Sequence, residues 1–310
     1  MPFVPRDFRV PSEIRCNEFQ VRLLASNDLA KHYEAQISSI THLREALEYR
    51  DQPWLRSGMT MRTAFAELCH CAWQHHNRLS FTYGVFDLAN ERELGCVYIE
   101  PTGKQGSDAQ TVTWVRSSEL STGFDETLFE FTQRWLESDW PLRAVAHPGR
   151  VDDWSECQQT AFVPTDFVVP NGVPFQNYVL KLLRTEHLLL DFNAYMANVD
   201  HIRSLSTYTH DWPSEHISLE FALIDLGMCE WQHEQQRDMF SYGVFNHEES
   251  EELGCLYLTR GEGDHDATVE SWIAKEHTDQ GLAGALTEFG HDWLATDWPF
   301  RHPKFSGMVS

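Results

Sequence analysis

The chain has 310 residues, 42% hydrophobic and 23% charged, with 13 Pro and 17 Gly, a globular composition rather than a disordered, collagenous or low-complexity one. Its formal net charge of −23, with only five Lys among 24 cations, repels phosphate backbones and anionic lipid headgroups, so nucleic-acid and membrane-surface roles are disfavoured. No run approaches the ~18 consecutive apolar residues of a membrane span and the opening residues carry no leader pattern, which points to a soluble, cytoplasmic protein of about two domains.

Taken in chain order, Phe19-Gln20-Val21-Arg22-Leu23-Leu24 alternates as a half-buried strand. Ser26 or Asn27 can cap a helix running to about Leu47, and a second helix covers Met61 to Arg78, with Phe65, Leu68 and Ala72 at helical spacing. Three short strands follow, Ser80 to Phe86, Leu94 to Ile99 and Thr111 to Arg116, the first two joined by the polar hairpin turn Asp87 to Arg92. A last helix, Thr122 to Ser138, stops before Trp140-Pro141, and a short strand at Leu142 to Ala146 can follow. The order β-α-α-β-β-β-α gives an α+β fold with a mostly antiparallel sheet flanked by helices.

The same order then begins again. Trp54, Trp73, Trp114, Trp135 and Trp140 recur as Trp212, Trp231, Trp272, Trp293 and Trp298, each 158 positions on, and only Trp154 has no twin. Phe3-Val4-Pro5, Tyr83-Gly84-Val85-Phe86 and Leu94-Gly95-Cys96 return as Phe162-Val163-Pro164, Tyr242-Gly243-Val244-Phe245 and Leu253-Gly254-Cys255, 159 positions on, so one residue is gained and lost between the Trp anchors. A period this long is a duplicated domain, not a solenoid module of about 20 to 50 residues. The expected division is 1–150, a polar linker 151–161, and 162–310, arranged as a pseudo-twofold internal dimer. The repeated tryptophans are expected to mark a shared core.

Seven cysteines in a chain of this size fit reduced thiols better than a disulfide framework. Cys69-His70-Cys71 with His75 and His76 lies on a helix, where Cys71 and His75 share a face, as do Cys229 and His233. Two ligands of the right type fall short of the about four a zinc site uses, so no metal is expected.

The unit order, the hairpin Phe81–Phe86 to Leu94–Ile99, and the strand Thr113-Trp114-Val115-Arg116 running by a loop into a helix resemble the GNAT superfamily of N-acetyltransferases. Words such as Gly95-Cys96-Val97-Tyr98-Ile99 are similar to those of a bacterial group of GNAT-like proteins. The resemblance implies an acyl-CoA N-acyltransferase that carries an acetyl or other acyl group from acyl-CoA to an amine, with a small-molecule amine as the expected partner. It places the cofactor on a Q/R-x-x-G-x-G/A loop opening the last helix, where backbone amides face a diphosphate and small residues let them approach. In the second unit Gly281 and Ala283 fall on the two small positions of Thr278-Asp279-Gln280-Gly281-Leu282-Ala283-Gly284, with Thr278 in place of Gln or Arg. The implied cofactor contacts are Trp272, Ile273, Lys275, Gln280, Gly281, Leu282, Ala283 and Gly284. The first unit puts Asp125 where a small residue should meet phosphate, so it reads as degenerate. Close packing of helix on strand is an equal account of the small residues.

Acyl transfer to an amine needs a base, a carbonyl-positioning group and a proton for the thiolate. Glu270, on the strand face of Trp272, is a candidate base, although its counterpart is Val112. Tyr257, like Tyr98, can donate a proton or fill the core. His201 and His42, near the end of each unit's first helix, either shape the acceptor site or neutralise a helix C-terminus. Arg116 and Lys275 can offset phosphate charge. Each unit ends early for this superfamily, so exchanged strands or the Phe-Val-Pro arms are expected to complete the sheets. The alternative functions are a non-catalytic ligand-binding or protein-interaction protein, and a purely structural pseudo-dimer.

Overall fold

The computed structural model describes residues 3–47, 52–157, 160–205, 212–278 and 280–306. It divides into two compact units, Met1–Thr160 and Ala161–Ser310.

The first unit runs β1 (Glu13–Arg15), β2 (Phe19–Leu23), α1 (Leu29–Ser38), α2 (Ile40–Ala46), α3 (Pro53–Ser57), α4 (Met61–Asn77), β3 (Phe81–Asp87), β4 (Glu93–Glu100), β5 (Ala109–Val115), α5 (Phe124–Asp139), β6 (Val145–Ala146) and α6 (Trp154–Cys157). Its six strands lie in the order β1-β2-β3-β4-β5-β6. All neighbours are antiparallel except β5 and β6, which pair in parallel at Ala109 and Gln110 only. The helix expected to reach Leu47 without interruption breaks at Ser39, whose backbone leaves the helical region at φ −121, ψ 9. The break turns the buried Ser39 hydroxyl to accept a hydrogen bond from the Ser117 amide, just beyond β5.

The second unit runs β7 (Val173–Phe175), β8 (Tyr178–Leu182), α7 (Leu188–Met196), α8 (Val199–Ser204), α9 (Leu219–Trp231), β9 (Met239–Asn246), β10 (Glu252–Arg260), β11 (Ala267–Ile273), α10 (Lys275–Thr278), α11 (Leu282–Asp297) and β12 (Pro303–Ser306). Its sheet order is β12-β11-β10-β9-β8-β7, with β11 and β12 parallel. The residue gained relative to the first unit is absorbed in a π-helical turn, Gln232–Gln236, after α9. On either side of it the contacts are the same: His75 Nε2 accepts from the Thr82 amide, and His233 Nε2 from the Ser241 amide.

Each sheet is built from its own unit's strands, so the expected strand exchange does not occur. Nor do the Phe-Val-Pro arms add strands. They are pinned to the end of the long helix, Arg78 donating to the Pro5 and Phe8 carbonyls and Arg237 to those of Pro164 and Phe167. The edges are instead finished by β1 and β7 on one side and β6 and β12 on the other, segments too short to show a periodicity of their own. Eight of the ten repeated tryptophans are buried, with Trp73 and Trp212 half-buried: Trp135 and Trp140 pack edge-on to Tyr83, and Trp293 and Trp298 to Tyr242.

A β-bulge interrupts the pairing of β3 with β4 beside Glu93 and Gly95, and its twin lies between Glu252 and Gly254. A Cβ on Gly95 would sit 2.1 Å from the Trp114 carbonyl oxygen, and one on Gly254 2.1 Å from that of Trp272, so only glycine fits there. The extra residue puts Glu93 with Cys96, and Glu252 with Cys255, on one face although each pair is three apart.

Candidate active site

The end of β11 is fixed by three side chains. His201 Nε2 lies 3.1 Å from the Ile273 carbonyl oxygen, Thr278 Oγ1 donates to the same oxygen at 3.2 Å, and Asn198 Oδ1 accepts from the Lys275 amide at 3.0 Å. The chain then turns through α10 into α11. Gly281, at φ 84, is the N-cap, a left-handed conformation that favours glycine. The first bond within the helix runs from the Ala285 amide to the Gly281 carbonyl, so the amides of Leu282, Ala283 and Gly284 have no partner inside the helix. Among the described residues no side chain caps this end, and the first turn of α11 holds no acid. Leu282 is buried and anchors the turn, whereas Lys275 and Gln280 are exposed. A Cβ added to Gly281 or Gly284 would meet nothing within 4 Å, so neither glycine serves close packing of helix on strand. Asp279 lies outside the described residues.

β11 pairs with β12 from Ala267 to Glu270, and Ser271 to Ile273 have no partner strand on that side among the described residues. Glu270 stands directly across from Tyr257 in the ladder, both half-buried, and the Tyr257 hydroxyl accepts a hydrogen bond from Trp272 Nε1 at 3.2 Å. The fold thus brings Glu270, Tyr257 and Trp272 together and sets His201 at the end of the same strand. The side chains of Trp272 and Ile273 are buried in the core on opposite faces of the sheet, which leaves the backbone of this strand, rather than those side chains, to meet a ligand.

The first unit closes the corresponding place. Asp125 pairs with Arg150 at 2.6 Å, and the first amide of α5, that of Phe124, is taken by Thr122 Oγ1 at 3.3 Å. Asp125 and Glu126 both lie in the first turn, where acids are stabilised by the helix dipole. Arg116 is not available to phosphate: it is buried, donating to both carboxylate oxygens of Glu34 and to the Glu93 carbonyl. Val112, in the place of Glu270, is buried.

Beneath each sheet lies a polar cage that sequence reasoning missed. In the first unit His32 Nδ1 is 2.8 Å from Glu93 Oε1 and Nε2 is 3.3 Å from Glu67 Oε2, while Gln36 donates to Glu67 and the Cys96 thiol to Glu93. Burial alone would lower the His32 pKa. The Glu93 charge and hydrogen bonds to Cys96, Glu67 and Glu93 outweigh it and hold the pKa well above its usual value. In the second unit Asp191 stands where His32 does and Asp225 where Glu67 does, around the same Glu252 and Cys255. Burial, and then the Asp225 charge, push the Asp191 pKa up to about 7. The repeated words Glu93-Leu94-Gly95-Cys96 and Glu252-Leu253-Gly254-Cys255 were the available signal. Strand alternation, however, would put the acid and the thiol on opposite faces, and only the bulge reunites them. No cysteine forms a disulfide.

No family model and no curated protein matches the chain. Among solved structures the chain is similar to ribosomal-protein-S5-alanine acetyltransferase from Vibrio fischeri, at 15% identity and TM-score 0.35, covering 44% of this chain and 73% of that one. It is also similar to RimL, a ribosomal L7/L12 α-N-protein acetyltransferase solved with coenzyme A, at 11% identity and TM-score 0.32, covering 42% and 69%. A third is the microcin C7 self-immunity acetyltransferase MccE, solved with acetyl-CoA and AMP, at 12% identity and TM-score 0.30, covering 42% and 69%.

Proposed function

We propose that the second unit binds acyl-CoA at the N-terminus of α11 and transfers the acyl group to an amine. The observation that carries this reading is the opening of α11: three amides without helical partners, no capping side chain among the described residues, no acid in the first turn, and open space over Gly281 and Gly284. Such an end offers hydrogen bonds and a positive dipole to a diphosphate, and Lys275 adds an exposed cation nearby in an otherwise acidic chain. The side of Ser271–Ile273 turned away from β10, beyond the end of β12, supplies backbone groups for an extended ligand arm.

In this reading Glu270 takes the ammonium proton and the freed amine forms the new C–N bond as the C–S bond breaks. The Tyr257 hydroxyl gives the departing sulfur its proton, and the proton shed by the new amide nitrogen restores the hydroxyl through solvent. His201 is a positioning residue that holds the end of β11. A binding protein without catalysis is the second reading, favoured by the engagement of Tyr257 with Trp272.

Titration calorimetry of the full chain with CoA tests the cofactor site. Binding is expected to weaken at least tenfold in Ala283→Asp, which copies the first unit's acid. No binding at millimolar CoA, or binding indifferent to A283D, overturns the proposal. Thiol release with a panel of amines, lost in Glu270→Gln while CoA still binds, separates enzyme from binder.

A further inference from the structure

We propose that Asp191, Glu252 and Cys255 form a site for a zinc-class divalent transition metal ion in the second unit. Their donor atoms lie within 4.8 Å of one another and all three residues are buried. Cys255 Sγ is 3.2 Å from Glu252 Oε1 and 3.9 Å from Asp191 Oδ1. These distances bracket the roughly 3.5 Å sulfur-to-oxygen separation of a tetrahedral ion with Zn–S about 2.3 Å and Zn–O about 2.0–2.2 Å. Glu252 is only 5% exposed and its side chain meets Cys255 and Asp191, while its second oxygen, Oε2, is as buried as that of its twin Glu93. A carboxylate oxygen in that state is costly unless a cation or proton answers it.

The duplicated unit supplies an independent pointer. Its cage keeps the same bulge, the same glutamate and the same cysteine, but His32 stands within it and bridges Glu93 and Glu67. At the matching position the second unit has Asp191 on α7, so the copy puts a carboxylate donor where the first unit has an imidazole. Two carboxylates with a thiolate suit zinc or cobalt. Magnesium and calcium prefer about six or more oxygens and no sulfur. Binding would release the thiol proton, and any carboxyl proton, to solvent. The ion would tie α7, which carries Asp191, to β10, which carries Glu252 and Cys255.

The test is Co²⁺ added to the metal-stripped full chain, read by absorption. One equivalent should give thiolate-to-cobalt charge transfer in the near ultraviolet and the visible bands of a four-coordinate ion. Affinity should fall at least tenfold in Cys255→Ser and in Glu252→Gln, but not in Cys96→Ser. Asp191→Asn, which keeps the side chain's shape and removes its carboxylate, should also lower the affinity at least tenfold. Absence of a thiolate band in the parent, its survival in C255S, or its loss in C96S overturns the assignment.

Discussion

The two units share a fold and differ in where they keep their charges. In the first, three charged positions find partners within the unit: His32 sits between Glu67 and Glu93, Arg116 is held by Glu34, and Asp125 closes on Arg150 at the head of α5. In the second, Asp191, Ala274 and Ala283 stand at those places, and the cage and the head of α11 are left without the partners their twins have. On the two proposals above, duplication gave one half that is closed upon itself and one that takes a cation beneath the sheet and an anion at its edge. A single scaffold accommodates both because neither change touches the apolar contacts that hold the sheet.

The comparison breaks most severely at His32. His32→Ala should destabilise the protein by about 3–5 kcal/mol in urea unfolding, because it strands two buried carboxylates. As the folded pKa is raised, the stabilisation is fully present below the unfolded value of 6.5 and is lost as pH rises through the folded one. The penalty of the variant should therefore shrink in alkali, and a loss under 1 kcal/mol at neutral pH would show that the first cage does not need its cation.

A smaller effect is shared by both units. His75 and His233 accept backbone hydrogen bonds as neutral rings, and burial lowers their pKa values from 6.5 to about 4 and about 3. Stability is present above pH 6.5 and declines as pH falls toward those values, by up to about 3 kcal/mol for His75 at about 1.4 kcal/mol per pKa unit. His75→Gln, which keeps an acceptor that does not titrate, should flatten the acid side of the stability curve between pH 6.5 and 4. An unchanged slope would place the acid sensitivity elsewhere.

Glycine substitutions sharpen the comparison at the smaller end. Gly281→Ala should cost about 1 kcal/mol because alanine strains at φ 84, whereas Gly284→Ala, inside the helix with open space around it, should gain about 0.5–1 kcal/mol. Thermal melts of the two variants should move in opposite directions. Removing the Asp125–Arg150 pair with Asp125→Ala should change stability by less than about 1 kcal/mol, since both groups are partly exposed. A larger loss would make that pair part of the core support of α5.

Much of the fold was legible because the signals are local or repeated. Tryptophan spacing exposed the duplication, hydrophobic periodicity gave the long helices and the three-strand meander, and Gly281 with Ala283 marked the head of α11. The edge strands β1, β7 and β12 were not legible, since three or four residues carry no period and are defined by the neighbour they pair with. The break at Ser39 and the π turn were likewise hidden, because tertiary hydrogen bonds and an inserted residue, not propensity, place them.

By itself the sequence determined that one domain is written twice, with a shared aromatic core and an unequal loop before the last helix, because burial and helix capping act on residues close in the chain. Only the tertiary structure decided that Glu270 faces Tyr257, that His201 secures the end of β11, and that Asp191 meets Glu252 and Cys255. Those meetings depend on strand register and on a single bulged residue. A register step of one residue turns a side chain to the other face of a sheet, and no local pattern records that choice.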